Sequence, residues 1–169
     1  MKFAPRWGIF LLCVLPAVLH GHGSQGPLPK DFAPVGVPQR YGPPEQKLAA
    51  GSIFDYMDGG GIVYLEHGFR ELVHGEFLDP RGRRITFDRF TMATPVQARA
   101  ALADERIAPA GGKSMPLDAP NKGYMFPPDY FIYMVLGKSL IYLHVDDDAM
   151  AETLDRFAVD IIAFAKEEK

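Results

Sequence analysis

The stretch "FRELVHGEFLDPRGRRITFDRFTM", residues 69–92, decides the fold. Two loosely alternating runs flank Asp79-Pro80-Arg81-Gly82. Proline in second place and glycine in fourth suit a type I turn closed by a left-handed glycine, the three-residue hairpin loop. That loop pairs Asp79 with Arg83. Counting back from it sets Phe77 opposite Ile85, His74 opposite Asp88 and Leu72 opposite Phe90. Apolar residues then fall on both faces, with Phe69, Val73, Phe77, Ile85 and Phe87 on one and Leu72, Leu78, Phe90 and Met92 on the other. A sheet with two apolar faces must be covered on both, at least in part.

Upstream lies "FDYMDGGGIVYLEHGF", residues 54–69, with three glycines inside a helical pattern. Ser52 and Asp55 have the spacing of a capping box, and Ile53, Phe54 and Met57 open an apolar face that resumes at Gly61, Tyr64 and Leu65. His67 falls in the last turn and Gly68 stands where a glycine stops a helix. One helix is predicted over 52–67. Each internal glycine destabilises it by about 0.8–1 kcal/mol relative to alanine, so Gly59, Gly60 and Gly61 are expected where the backbone packs closely on the sheet or beside a ligand.

Downstream, Thr94-Pro95 reads as cap and first residue of a short helix, with Ala98, Ala101 and Leu102 as its buried side. A loop over 108–122 includes "GGKS", but Ile107 stands where a phosphate-binding loop needs its first glycine and the segment follows a helix, not a strand. A strand around "YMF" precedes "YFIYMVLGKSLIYLHV", residues 130–145, a hairpin turning at Gly137-Lys138. Its strands are almost wholly apolar, so they are central within the chain, or one face of this hairpin meets a second copy or another protein. Its aromatic residues read as core, with a ligand groove as the alternative, and His144 reads as a buried histidine facing Phe131. Asp146 to Asp148 cap a last helix whose stripe is Met150, Leu154, Phe157, Ala158, Ile161 and Ala165. The order α-β-β-α-β-β-β-α predicts an α+β domain over 45–169, an antiparallel sheet of about five strands with three helices packed on it in sandwich fashion.

The first 23 residues read as a secretory signal peptide, with Lys2 and Arg6, an apolar run shorter than a membrane span, and small residues at Gly21 and Gly23. Cleavage there leaves no stable membrane anchor and removes His20 and His22. It also removes Cys13 and Trp7, the only cysteine and tryptophan, so the mature chain is cysteine-free and stabilised by an ordinary core. Residues 24–44 form a Pro/Gly-rich extended lead-in. The leader carries two basic and no acidic residues, so its loss takes the net charge from −3 to −5. With no basic stripe, nucleic acid is excluded as a partner.

The pattern aromatic-x-Tyr-Met-Asp-Gly-Gly-x-x-x-Tyr-Leu-x-x-Gly-Phe, Phe54 to Phe69, and the sequel "ITFDRFTMATPVQA" resemble a domain-of-unknown-function family of exported bacterial proteins. The resemblance covers roughly residues 45–107. It implies export to the periplasm or beyond and an α+β fold. It carries no assigned chemistry, cofactor or catalytic residue.

Asp55 and Asp58, three apart on the predicted helix, would share a face, with Glu66 two turns on. Such carboxylates bind a hard cation or divide acid and base roles, or else form a solvated face. His74 opposite Asp88 is a cross-strand ion pair or the orienting half of a general base. No serine or cysteine nucleophile accompanies it, and no metal-ligand set is complete. A binding or accessory module, its site formed by Asp55, Asp58, Gly59, Gly60, Gly61 and Glu66 against the sheet, is therefore preferred to a carboxylate-based or metal-assisted hydrolase using Asp55, Asp58, His74 and Asp88. Protein recovered outside the cytoplasm should show tyrosine absorbance and emission only, and tryptophan fluorescence from it would refute cleavage after Gly23.

Overall fold

The computed structural model describes residues 31–127 and 130–167. The predicted signal peptide, His20, His22 and the start of the lead-in lie outside the described residues. The chain is α+β, with a fully antiparallel sheet. Its strands are β1 (Ala33–Pro34), β2 (Gln39–Tyr41), β3 (Phe69–Leu78), β4 (Arg84–Met92), β5 (Lys113–Ser114), β6 (Lys122–Phe126), β7 (Phe131–Leu136) and β8 (Ser139–His144). They lie in the order β1-β3-β4-β8-β7-β6-β5, with β2 also on the free edge of β3. Eight strands replace the expected five or so. The additions are short edge pieces: β1 and β2 come from the extended lead-in, where Pro34 sits on an outer strand, and β5 comes from the 108–122 loop.

The β3–β4 register is the expected one. Phe77 faces Ile85, His74 faces Asp88 and Leu72 faces Phe90. The turn closes through Asp79 N donating to Arg83 O (2.9 Å), with Gly82 at φ 76°. Asp79 is buried, and burial alone would raise its pKa. Hydrogen bonds from Arg83 N, the Arg83 side chain and Arg81 N hold it below its ordinary value instead. One side chain departs from the expected alternation. A bulge between Phe69 and Glu71 pairs Phe69 with Met92 and turns it onto the face of Leu72 and Phe90.

Both faces are covered in part. On one, α4 (Ala151–Glu167) lays Leu154, Phe157 and Ala158 over Phe77, Ile85, Ile132, Met134, Ile141 and Leu143. Asp147 caps the turn that leads into α4 by accepting from Ala149 N (2.9 Å). On the other face, Leu72, Phe90, Met92, Val135 and Leu140 lie under α1 (Ile53–Met57), α2 (Gly61–Glu66) and α3 (Pro95–Leu102). Both faces of the apolar hairpin thus meet helices of the same chain. Each fully buried side chain of this kind contributes about 1.5–3 kcal/mol.

The helix predicted over 52–67 is broken. Ser52 N and Oγ donate to Asp55 Oδ2 (2.7 and 2.9 Å), the capping box expected there. The α-helix then stops at Met57. Asp58 takes φ 48°, Asp58–Gly60 form a 3-10 turn, and α2 restarts at Gly61. Asp55 and Asp58 therefore do not share one helical face. The three glycines differ as well. A Cβ on Gly59 or Gly60 would meet nothing within 4 Å, whereas one on Gly61 would come within 3.0–3.2 Å of Ile53 and Phe54. Only Gly61 makes the close approach.

Opposite outcomes follow. Gly60→Ala, at helical φ −62°, should be neutral or stabilising by up to about 1 kcal/mol through loss of unfolded-state entropy. Gly61→Ala should destabilise by about 1–3 kcal/mol, because the fully buried Ile53 must shift. Urea melts of the two variants measure the contrast, and equal effects would contradict it.

Candidate functional site

The pairings align side chains into rows that cross the sheet. One row, on the face that carries α1 to α3, reads Gln39, His74, Asp88, Tyr142, Tyr133, Tyr124 across β2, β3, β4, β8, β7 and β6. The next row toward the β3–β4 turn reads Glu76, Thr86, His144, Phe131, Phe126. The helices bury the row beyond Asp88 on the other side. The Glu76-to-Phe126 row lies past their cover, and its Phe131 and His144 belong to neither apolar core.

At the boundary sits a buried carboxylate. Asp88 is 3% exposed and holds two donors. Tyr56 Oη, from α1, donates to Oδ2 at 2.8 Å, and His74 Nδ1 meets Oδ1 at 2.7 Å. Tyr56 Oη also lies 3.2 Å from His74 Nδ1, and the two rings are 5.0 Å apart. Burial and the neighbouring Asp88 charge push the Tyr56 hydroxyl far up, so it stays a donor. The hydrogen bond to Asp88 raises the His74 pKa and outweighs the opposing effect of burial. Among the described residues His74 Nε2 has no hydrogen-bond partner. His74 and Asp88 thus form the cross-strand pair that the sequence suggested, with a tyrosine as third member.

Beside the triad, Tyr133 and Tyr142 have ring centroids 4.8 Å apart. Phe131 meets Tyr133 nearly edge-on (83°) and is stacked on Phe126 (4.8 Å, 12°). Burial raises the Tyr133 and Tyr142 hydroxyls above their ordinary value, with the Asp88 charge adding to it. His144 pairs with Phe131, as read from the sequence, yet is not buried. Its side chain is 32% exposed and lies 3.6 Å from Asp146. At the rim Arg84 pairs with Glu76.

The other candidates lie elsewhere or are already engaged. Asp55 belongs to the cap, where the bond from Ser52 N lowers its pKa. Asp58, Gly59 and Gly60 are exposed at the helix break. Glu66 pairs with Arg106 (2.8 Å), beside a His67–Asp104 bond of 2.9 Å that ties α2 to the chain beyond α3. Asp104 is held well below the ordinary carboxylate range, by Arg106 first and His67 second. Among the described residues no three His, Cys, Asp or Glu side chains converge as a metal site. A separate open cleft of about 280 Å³, between α3 and β6, is lined by Arg99, Leu102, Lys122 and Tyr124 among others.

One member went unread in the sequence, and the aromatic rows read there first as core, with a ligand groove as the alternative. Tyr56 sits inside the quoted glycine motif, but nothing in its spacing aims it at β4. The aromatic rows were legible in principle, because Tyr124/Phe126, Phe131/Tyr133 and Tyr142/His144 each alternate onto one face. Compared with known proteins, the chain matches no family model, no curated protein and no solved structure. No helix among the described residues is long and apolar enough to cross a membrane.

The triad makes stability depend on pH with a definite sign. A histidine whose pKa is raised on folding stabilises through its protonated form. That contribution is full below the unfolded value of about 6.5 and is lost as pH rises through the higher folded value. His74→Gln should flatten this part of the stability–pH profile. Tyr56→Phe should destabilise by about 1.5–3 kcal/mol, the range for a bond to a charged acceptor. Urea melts at a series of pH values test both, and an unchanged slope in His74→Gln would contradict the assignment.

Proposed function

We propose that the protein is an exported binding or accessory module, and that its ligand rests where the sheet runs out from under α1. One observation carries this reading. Phe131 and His144 stand partly exposed on the helix-bearing face, outside both cores, one row from the buried Asp88 and its partly exposed partners His74 and Tyr56. Aromatic rings left outside a core and next to fixed polar groups are the chemistry of a recognition surface. The leader-like start and the resemblance to exported proteins supply the location. The glycine segment enters this reading through Tyr56, which α1 carries down to the sheet, and not through a ligand held by the glycines.

A second reading, hydrolysis with His74 as base, is favoured by the 2.7 Å bond to Asp88 and by the unengaged Nε2. It then needs a water as nucleophile, since Tyr56 is bound to Asp88. Asp55 and Asp58 make no bond to either residue.

A fragment screen by amide chemical-shift mapping tests the module. Fragments should perturb the end of the sheet around Phe131, Tyr142 and His144. Perturbations that are scattered, or confined to the cleft beside α3, would remove the site. Ester or glycoside turnover abolished by His74→Gln would transfer the case to the hydrolase.

A further inference from the structure

We infer that the open end of the sheet, where Phe131, Tyr142 and His144 stand together, takes a neutral saccharide, an assignment that rests on the binding-module reading above. Charge is the first ground. Arg84 is matched by Glu76, His74 by Asp88, and His144 lies beside Asp146. A phosphate or carboxylate ligand finds no unmatched cation among these groups. An organic cation finds Asp88 already holding two donors, Glu76 paired with Arg84 and Asp146 beside His144. Desolvating a charged ligand without a counter-charge is costly, so the ligand that fits is uncharged.

Its polarity is the second ground. The rings of Phe131 and Tyr142 offer apolar area, but polar groups are interleaved with them. Tyr142 Oη and His74 Nε2 have no hydrogen-bond partner among the described residues. A purely apolar ligand would cover these groups and leave them unsatisfied. A simple polyol would gain nothing from the rings. A pyranose has both parts, a C–H face to lie on aromatic carbon and hydroxyls to meet the phenol and imidazoles. Phe131 and His144 are paired on adjacent strands, about 5 Å apart at the usual strand spacing, and Phe126, itself buried, backs the Phe131 ring from the next strand (4.8 Å).

The test titrates the purified exported form with maltotetraose, cellotetraose and chitotetraose, and with tetragalacturonate and choline as charged counterparts, followed by amide shifts. At least one neutral oligosaccharide should bind and shift Phe131, Tyr142 and His144. Tyr142→Phe should weaken it by about two- to tenfold through loss of one hydrogen bond, and Phe131→Ala by about tenfold through loss of a ring contact. Melting curves check that both variants fold, and His144→Ala replaces Phe131→Ala if that one does not. Binding of none of the three neutral probes, tighter binding of a charged one, or equal affinity in the variants overturns the assignment. If the fragment map still clusters at this end, only the saccharide class falls; if it is scattered, the binding surface falls with it.

Discussion

The buried carboxylate of Asp88 joins the sheet to the helices on one of its faces. Asp88 sits on β4, between β3 and β8, with almost no exposure. An ionised group there is tolerable only if its oxygens are bonded. The two partners come from different parts of the chain: His74 from the adjoining strand, by register, and Tyr56 from α1, by tertiary packing. Satisfying Asp88 therefore ties the seating of α1 on the sheet to the register that the β3–β4 turn sets. Slipping the register by one residue would turn Asp88 toward the face under α4, away from Tyr56 and the helices of the other face.

The helix break follows from the same demand. Tyr56 can reach Asp88 only if α1 lies low over β3 and β4, while Tyr64 must stack on Phe90 (4.2 Å, 18°) from α2. The chain meets both by stopping one helix and starting another. Asp58 accepts a left-handed φ that a non-glycine residue adopts at a cost of about 1–3 kcal/mol. Gly59 and Gly60 then supply a turn with no side chain to order, and Gly61 lets α2 begin against Ile53. The glycine run is thus a joint between two anchored aromatic residues.

Much of this was legible beforehand for a simple reason. The β3–β4 register follows from turn chemistry and alternation, both local. The caps at Ser52, Thr94 and Asp147 are local too, as is the apolar stripe of α4. What escaped was set by distant contacts. The bulge at Arg70 moves Phe69 across the sheet, and no residue type there announces it. A 3.6-residue period continued through Asp58-Gly59-Gly60 on paper, because periodicity does not register a change of φ. His144 resembled a core histidine since its strand is apolar on both sides, and only the reach of the helices decides which end of a strand stays open.

That reach also explains why recognition chemistry gathers where it does. The segments packed on this face are short: α1 has five residues, α2 six and α3 eight. At about 1.5 Å per residue none spans the ten-residue β3, which extends about 33 Å. The face beneath them divides into a dry half and an open half, and Asp88 lies on the line between. Residues on the dry side are wholly apolar, Leu72, Phe90, Leu140 and Val135 in one row. Those on the open side keep a polar tip or an aromatic edge, as Tyr142, His144 and Phe131 do. A sheet longer than its helical cover must present side chains that tolerate water, and such side chains are also the ones able to hold a ligand that is part hydrocarbon and part hydroxyl.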